Sequence, residues 1–230
     1  MKQQGLNLLV FILYKEVEMC RLLLVKSENE FEMKPHLENF AAISKNSKEF
    51  QGHGWGCSYL DEKNEWQHYK NINPIWEDNF SKFGKTKMLV VHARSAFKDE
   101  GIFIENNMPF HDPKYVFIFN GELRGVRIKE EGKIGAEKIF NFLKRFDNGD
   151  IVHAFVKGVS LIKKKSRQIR GMNIIVVTKE NVYLNTTFEE DIDYYTMHYK
   201  ETGNDLIICS DPYPGETDWS NVPNNAILVW

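Results

Sequence analysis

Cys20 is the residue with the most chemistry to offer, because of what stands before it. It follows Met19, and a cysteine is small enough for a preceding initiator methionine to be removed. If translation began at Met19, Cys20 would become residue one of the mature chain. A free α-amine titrates near ~7.7–8.0 and can act as a general base around neutral pH. The thiol, ordinarily near ~8.5, would then carry its own base, which is one way to activate a sulfur nucleophile. A cysteine at the start of an apolar strand serves equally well in packing. The decision therefore rests on residues far from it.

Four segments supply candidates. Gly52-His53-Gly54-Trp55-Gly56 allows positive φ and close backbone approach. It reads as a turn into a strand with Trp55 packed beneath, or as a backbone loop beside a small-molecule pocket. Val91-His92-Ala93-Arg94 ends an apolar strand. An arginine there can clamp a carboxylate with two parallel hydrogen bonds, or form a surface salt bridge. His92, on the opposite face from Ala93, suits the core or the site equally. Asn107-Met108-Pro109-Phe110 reads as a rigid turn placing an aromatic ring. Asn120-Gly121 closes the apolar run before it. Asn-Gly is a common hairpin turn. It could also pair a side-chain amide with a backbone N–H as an oxyanion hole, where one donor is worth about 3–4 kcal/mol of barrier.

Strand patterns position these residues. Apolar and β-branched runs predict strands over Cys20–Lys26, Gly56–Leu60, Met88–Ala93, Tyr115–Asn120, Asn173–Thr178, Val182–Asn185, Leu206–Cys209 and Ile227–Trp230. Several are apolar throughout, which implies burial on both faces. Helical spacing appears in Met33, Leu37, Phe40 and Ala41. It recurs in Ala136, Ile139, Phe140 and Leu143, and again in Val152, Phe155, Val156 and Val159. Sheets layered with helices in one α+β domain account for this order.

The bulk properties exclude several classes. The chain has 230 residues, 42% hydrophobic and 27% charged, with a formal net charge of −2. That argues against nucleic-acid binding through bulk charge. The basic run Lys163-Lys164-Lys165-Ser166-Arg167, with Arg170 beyond it, reads as a solvated helix end rather than a docking patch. Three cysteines without a CxxC pair indicate neither a zinc site nor a disulfide framework, and fit a reducing cytoplasm. His36, His68, His111, His153 and His198 are scattered, with no metal-ligand spacing. The apolar run Leu8–Tyr14 is followed by Lys15, Glu16 and Glu18 and no small-residue cleavage site, unlike a signal peptide. No stretch supplies the ~20 apolar residues of a membrane span.

Taken together, Met19-Cys20-Arg21, Gly54-Trp55-Gly56, His92-Ala93-Arg94, Asn107 with Pro109-Phe110, and Asn120-Gly121 resemble, in order and spacing, the class II glutamine amidotransferases. Ser210-Asp211-Pro212, Trp219 and Val222-Pro223 are similar to the single-domain branch of that family, which holds γ-glutamyl amide hydrolases. The resemblance covers 20–230 and leaves 1–19 as an extension, either a mis-assigned start or a removed propeptide. It implies a four-layer αββα sandwich of the N-terminal-nucleophile hydrolase type. It further implies a glutaminase chemistry through a Cys20 thioester, an oxyanion hole at Asn120 and Gly121, and a glutamyl carboxylate held by Arg94. Gly54, Trp55 and His92 would line the substrate site. No metal or cofactor is implied, and the partner is a small molecule, with no nucleic acid or membrane. A synthase partner or a homo-oligomer is left open, as is a non-catalytic binding or scaffold protein on the same fold. The chain departs from the family pattern at Gly135, where an acidic residue that pairs with the substrate amine is expected, and at Met108, where histidine is frequent.

Overall fold

The computed structural model describes residues 19–96 and 100–230, so the expected extension, Met19 aside, lies outside the described residues. Two antiparallel sheets stack face to face. The first has the order β11-β9-β10-β1-β4-β2-β3. Its strands are β1 (Arg21–Glu32), β2 (Trp55–Leu60), β3 (Trp66–Asn71), β4 (Lys85–Ala93), β9 (His198–Thr202), β10 (Asp205–Cys209) and β11 (Ser220–Asn221). The second has the order β12-β8-β7-β6-β5. It is made of β5 (Phe110–His111), β6 (Val116–Arg124), β7 (Gln168–Val177), β8 (Val182–Asn185) and β12 (Ile227–Val229).

Strand periodicity explains the layering. On β1, Leu22 and Leu24 join the core between the sheets, whereas Leu23 and Val25 pack with Leu37 and Phe40 of α1 (Met33–Lys45). On β4, Met88 and Val90 point inward and Leu89 and Val91 outward. Successive side chains alternate faces, so a strand covered on both sides must be apolar throughout. On the far side, Ile139 and Phe140 of α2 (Gly135–Lys144) and Phe155 and Val159 of α3 (Ile151–Lys165) pack onto the second sheet. The result is the four-layer α+β sandwich that the resemblance implies. Asp150 caps α3 by accepting from the His153 amide at 3.0 Å, and Lys163, Lys164 and Lys165 form its last turn. The basic run is thus a helix end, where cations oppose the helix dipole.

Several expectations need correction. β6 runs on to Arg124, so Asn120-Gly121 is neither a hairpin turn nor a strand end; Asn120 pairs with Asn173 and Gly121 with Met172. Arg170 is not part of the basic surface run. It is buried and bonded to Asp191 and Glu122. β3 and β9, polar edge-side strands, carry no apolar alternation and were not foreseen. The two large apolar clusters begin at Leu22, and Met19 joins only a small third one.

Candidate functional site

Five of the predicted residues, Cys20, Gly54, Trp55, His92 and Arg94, lie where β1 begins and β4 ends. Register pairs Arg21 with Ala93 and Ala93 with Trp55, so Cys20, Arg94 and Gly54 leave the sheet side by side. The Cys20 thiol is part-exposed and donates to the Ser95 carbonyl at 3.7 Å. The next residue is fixed firmly: Arg21 Nε donates to Ser47 Oγ at 3.1 Å and Nη1 to the Ser210 carbonyl at 3.2 Å. The Leu22 amide donates to Ser210 Oγ at 2.8 Å. The Ser210-Asp211 segment thus anchors the strand that presents Cys20.

The glycine loop and Arg94 are bonded to one another. The Arg94 amide donates to the Gly54 carbonyl at 2.9 Å, and the His53 amide to the Arg94 carbonyl at 3.1 Å. Gly54 has φ +102°, and an added Cβ there would lie 2.1 Å from Asn107 Nδ2. Only glycine tolerates both. A Cβ on Gly56 would lie 2.6 Å from the Met108 carbonyl oxygen. The Asn107-Met108 segment therefore packs directly on the Gly-Trp-Gly loop, a contact that spacing alone did not reveal. Asn107 Oδ1 accepts from Arg94 Nη1 at 3.4 Å, while its Nδ2 donates to the Asn71 carbonyl at 2.9 Å. Arg94 is 6% exposed, not on the surface.

Asn120 is fully buried, and neither its Oδ1 nor its Nδ2 has a hydrogen-bond partner. Buried amides are nearly always bonded, so such a group needs a reason. Gly121 beside it points its N–H away from β7. Its opposite residue, Met172, spends its own N–H and carbonyl on Thr187, and antiparallel pairs alternate in bonding. The Gly121 N–H therefore projects off the β6 edge, past the point where β5 pairs at Phe117. Across the sandwich, His92 is fully buried with both ring nitrogens unpartnered; the Phe119 backbone lies near it without bonding geometry. Burial, with the Arg94 charge, pushes His92 down to about 3, so it is neutral.

Other residues were missed or differ. Gln51 and Tyr194 both contact the backbone of Met19, and no motif announced them. Cys57 and Cys209 are buried packing residues whose thiols burial pushes up, Cys209 to about 12. His68 and His111, apparently scattered in sequence, stack with ring centroids 3.4 Å apart. They line a cleft of about 630 Å³ with Lys70, Phe110 and Glu137, between the β3 and β5 edges and α2. Burial pushes His68 down to about 4. Among the described residues no group of three His, Cys, Asp or Glu gathers as a metal site, and no helix is long and apolar enough to cross a membrane.

The fold is that of the class II glutamine amidotransferases. A glutamine aminotransferase class-II domain protein from Silicibacter pomeroyi superposes with a TM-score of 0.62 at 13% identity, covering 91% of this chain and 94% of that one. A predicted glutamine amidotransferase from Pseudomonas aeruginosa gives 0.56 at 11% identity, with 94% of each chain covered. Glutamine phosphoribosylpyrophosphate amidotransferase from B. subtilis gives 0.57 at 14% identity over 83% of this chain, which spans 42% of that longer one. No family model and no curated protein matches the chain.

Proposed function

We propose that the chain is a cysteine amidohydrolase that cleaves the γ-amide of glutamine or a γ-glutamyl compound, with Cys20 as residue one of its mature form. The observation that carries this reading is Asn120. A fully buried amide with two unpaired atoms, beside a backbone N–H directed off a strand edge, suits a developing oxyanion.

In this scheme the Cys20 amine takes the thiol proton and Sγ adds to the amide carbon. Asn120 Nδ2 and the Gly121 N–H stabilise the oxyanion. The C–N bond breaks as the amine returns its proton to the departing nitrogen, leaving a thioester. Water then splits the thioester, releasing the acid and regenerating the thiol. Arg94 pairs with the glutamyl α-carboxylate, while the Gly54 backbone borders the substrate, Trp55 packs beneath that loop against Tyr69, Phe80 and Phe83, and neutral His92 supports the Asn120 side of the pocket. The scheme requires a free Cys20 amine. Neither catalysis nor its base survives while Cys20 is in peptide linkage to Met19.

The test compares the full chain with one beginning at Cys20. A glutamine-mimicking diazoketone should label Cys20 only in the shorter form, and glutamate should be released from glutamine or simple γ-glutamyl amides. A shorter form that is neither labelled nor active would overturn the reading and favour a binding protein on this fold.

A further inference from the structure

β3 and β5 are edge strands of the two sheets, and the cleft of about 630 Å³ between them and α2 has the size of a small-molecule site. The described residues that line it do not include Cys20, Arg94, Asn120 or Gly121. Lys70 enters it from β3. Gly56 stands opposite both Lys70 and His92, and cross-strand partners share a face, so Lys70 points into the space between the sheets at its open edge. Its ammonium lies 5.3 Å from the Phe110 ring centre and, among the described residues, has no ion pair or hydrogen bond. Burial lowers its pKa, while Glu137, Lys133 and Glu105 act on its charge from beyond ion-pair distance. Glu137 lines the cleft from α2. Its Oε2 accepts from the Lys133 amide at 2.5 Å, and Oε1 accepts from no described residue. An ammonium and a carboxylate thus border one cavity, each with bonding capacity to spare. The other groups are satisfied or apolar. Lys144 pairs with Asp112 at 3.0 Å, its ammonium 4.2 Å from the Phe140 ring centre. His68 is neutral, bonded to Ser58 Oγ at 2.8 Å and stacked on His111. Lys70 and Lys133 balance Glu105 and Glu137, so the charges favour neither a lone anion nor a lone cation.

We infer that this cleft is a second binding site, separate from the catalytic one, for a free α-amino acid with an aromatic or other apolar side chain. Such a ligand carries both charges on one carbon. Lys70 takes its carboxylate and Glu137 its ammonium, each as a charge-assisted hydrogen bond. Phe110, Phe140 and the His68–His111 stack offer ring faces to the side chain. Binding there requires nothing of Cys20.

The experiment is calorimetric titration of the full chain with four probes. These are phenylalanine, 3-phenylpropanoate (no ammonium), phenethylamine (no carboxylate) and glutamine. Phenylalanine is expected to bind with a Kd below about 1 mM. It should bind at least about tenfold more tightly than either single-charge probe, since each lacks one charge-assisted bond. Lys70→Met should remove most of the advantage over phenethylamine, and Glu137→Gln most of that over 3-phenylpropanoate. Thermal melts check that both variants are folded. Phenylalanine bound more weakly than that limit, or equally by the unaltered chain and both variants, overturns the site, as does a single-charge probe that binds as tightly. Tighter binding of glutamine that is lost in Arg94→Lys assigns the cleft to the catalytic site and also overturns it. Each of these outcomes leaves diazoketone labelling of Cys20, and so the amidohydrolase reading, to be decided separately.

Discussion

Trp55 donates its indole N–H to Asp78 Oδ2 at 3.1 Å, which ties the Gly-Trp-Gly loop to a carboxylate outside the candidate site. The same oxygen accepts from the Tyr69 hydroxyl and Asn71 Nδ2, both at 2.8 Å, and Oδ1 accepts from Lys82 Nζ at 2.7 Å. Asn71 in turn gives its carbonyl to Asn107, the partner of Arg94. One carboxylate therefore holds the wall on which Arg94 rests.

That cluster makes the fold acid-sensitive. Burial alone would raise Asp78, but bonds from Lys82, Asn71, Tyr69 and the Asn79 amide outweigh it and hold the carboxyl at about 2. Its folded value is depressed, so its contribution is complete above the unfolded value near 3.8 and is lost as pH falls from about 4 to 2. Asp78→Ala should cost roughly 2–3 kcal/mol at neutral pH and flatten this acid limb. Urea melts of both proteins across pH 2–7 measure it.

His92 adds a second acid limb. It is fully buried with a folded value of about 3 against an ordinary 6.5, so the unfolded chain binds the extra proton between those values. Stability should fall by roughly 1.4 kcal/mol per pH unit below about 6.5 on this account. In His92→Gln the slope between pH 4 and 6 should shrink by about that amount.

Asn120→Ala should leave the fold intact and reduce kcat by about 100–1,000-fold with little change in KM, as for loss of one oxyanion donor. Gly121→Ala should instead fail to fold properly. Its Cβ would lie 2.2 Å from the Gly171 carbonyl oxygen, with Tyr195 packed against Gly171 behind it. Steady-state kinetics and circular dichroism separate the two outcomes.

Arg94→Lys should raise KM for glutamine at least tenfold while affecting kcat less. An ammonium cannot reproduce the planar, two-pronged grip on a carboxylate. An equal fall in kcat at unchanged KM would assign Arg94 elsewhere.

Gly135 offers a gain-of-function test. It is exposed at the first turn of α2, and a Cβ added there meets nothing within 4 Å. Gly135→Asp should stabilise the helix start by roughly 0.5–1 kcal/mol through lower chain entropy and the helix dipole. It should also lower KM for glutamine if a carboxylate there reaches the substrate amine. Thermal melts and kinetics read the two effects separately.

The sequence by itself determined the layers. Uninterrupted apolar runs such as Leu22–Val25 and Met88–Val91 require cover on both faces, and the i, i+4, i+7 spacing of Met33, Leu37 and Phe40 supplies part of it. These are local periodicities, fixed by strand and helix geometry. It also flagged Cys20, Gly54, Arg94, Asn120 and Gly121, because their residue types can do chemistry and their order and spacing resemble one family's pattern. Only the tertiary structure decided what those residues meet. Polar edge strands such as β3 take their conformation from neighbours rather than from their own pattern. The setting of Asn107 on Gly54, the stacking of His68 on His111, and the enclosure of Met19 by Gln51, Phe188 and Tyr194 all join segments distant along the chain. Such contacts follow from strand register and sheet stacking, which no local spacing encodes. Cys20 was legible as a thiol with chemistry to do, and the enclosure of its neighbour Met19 became visible only in the fold.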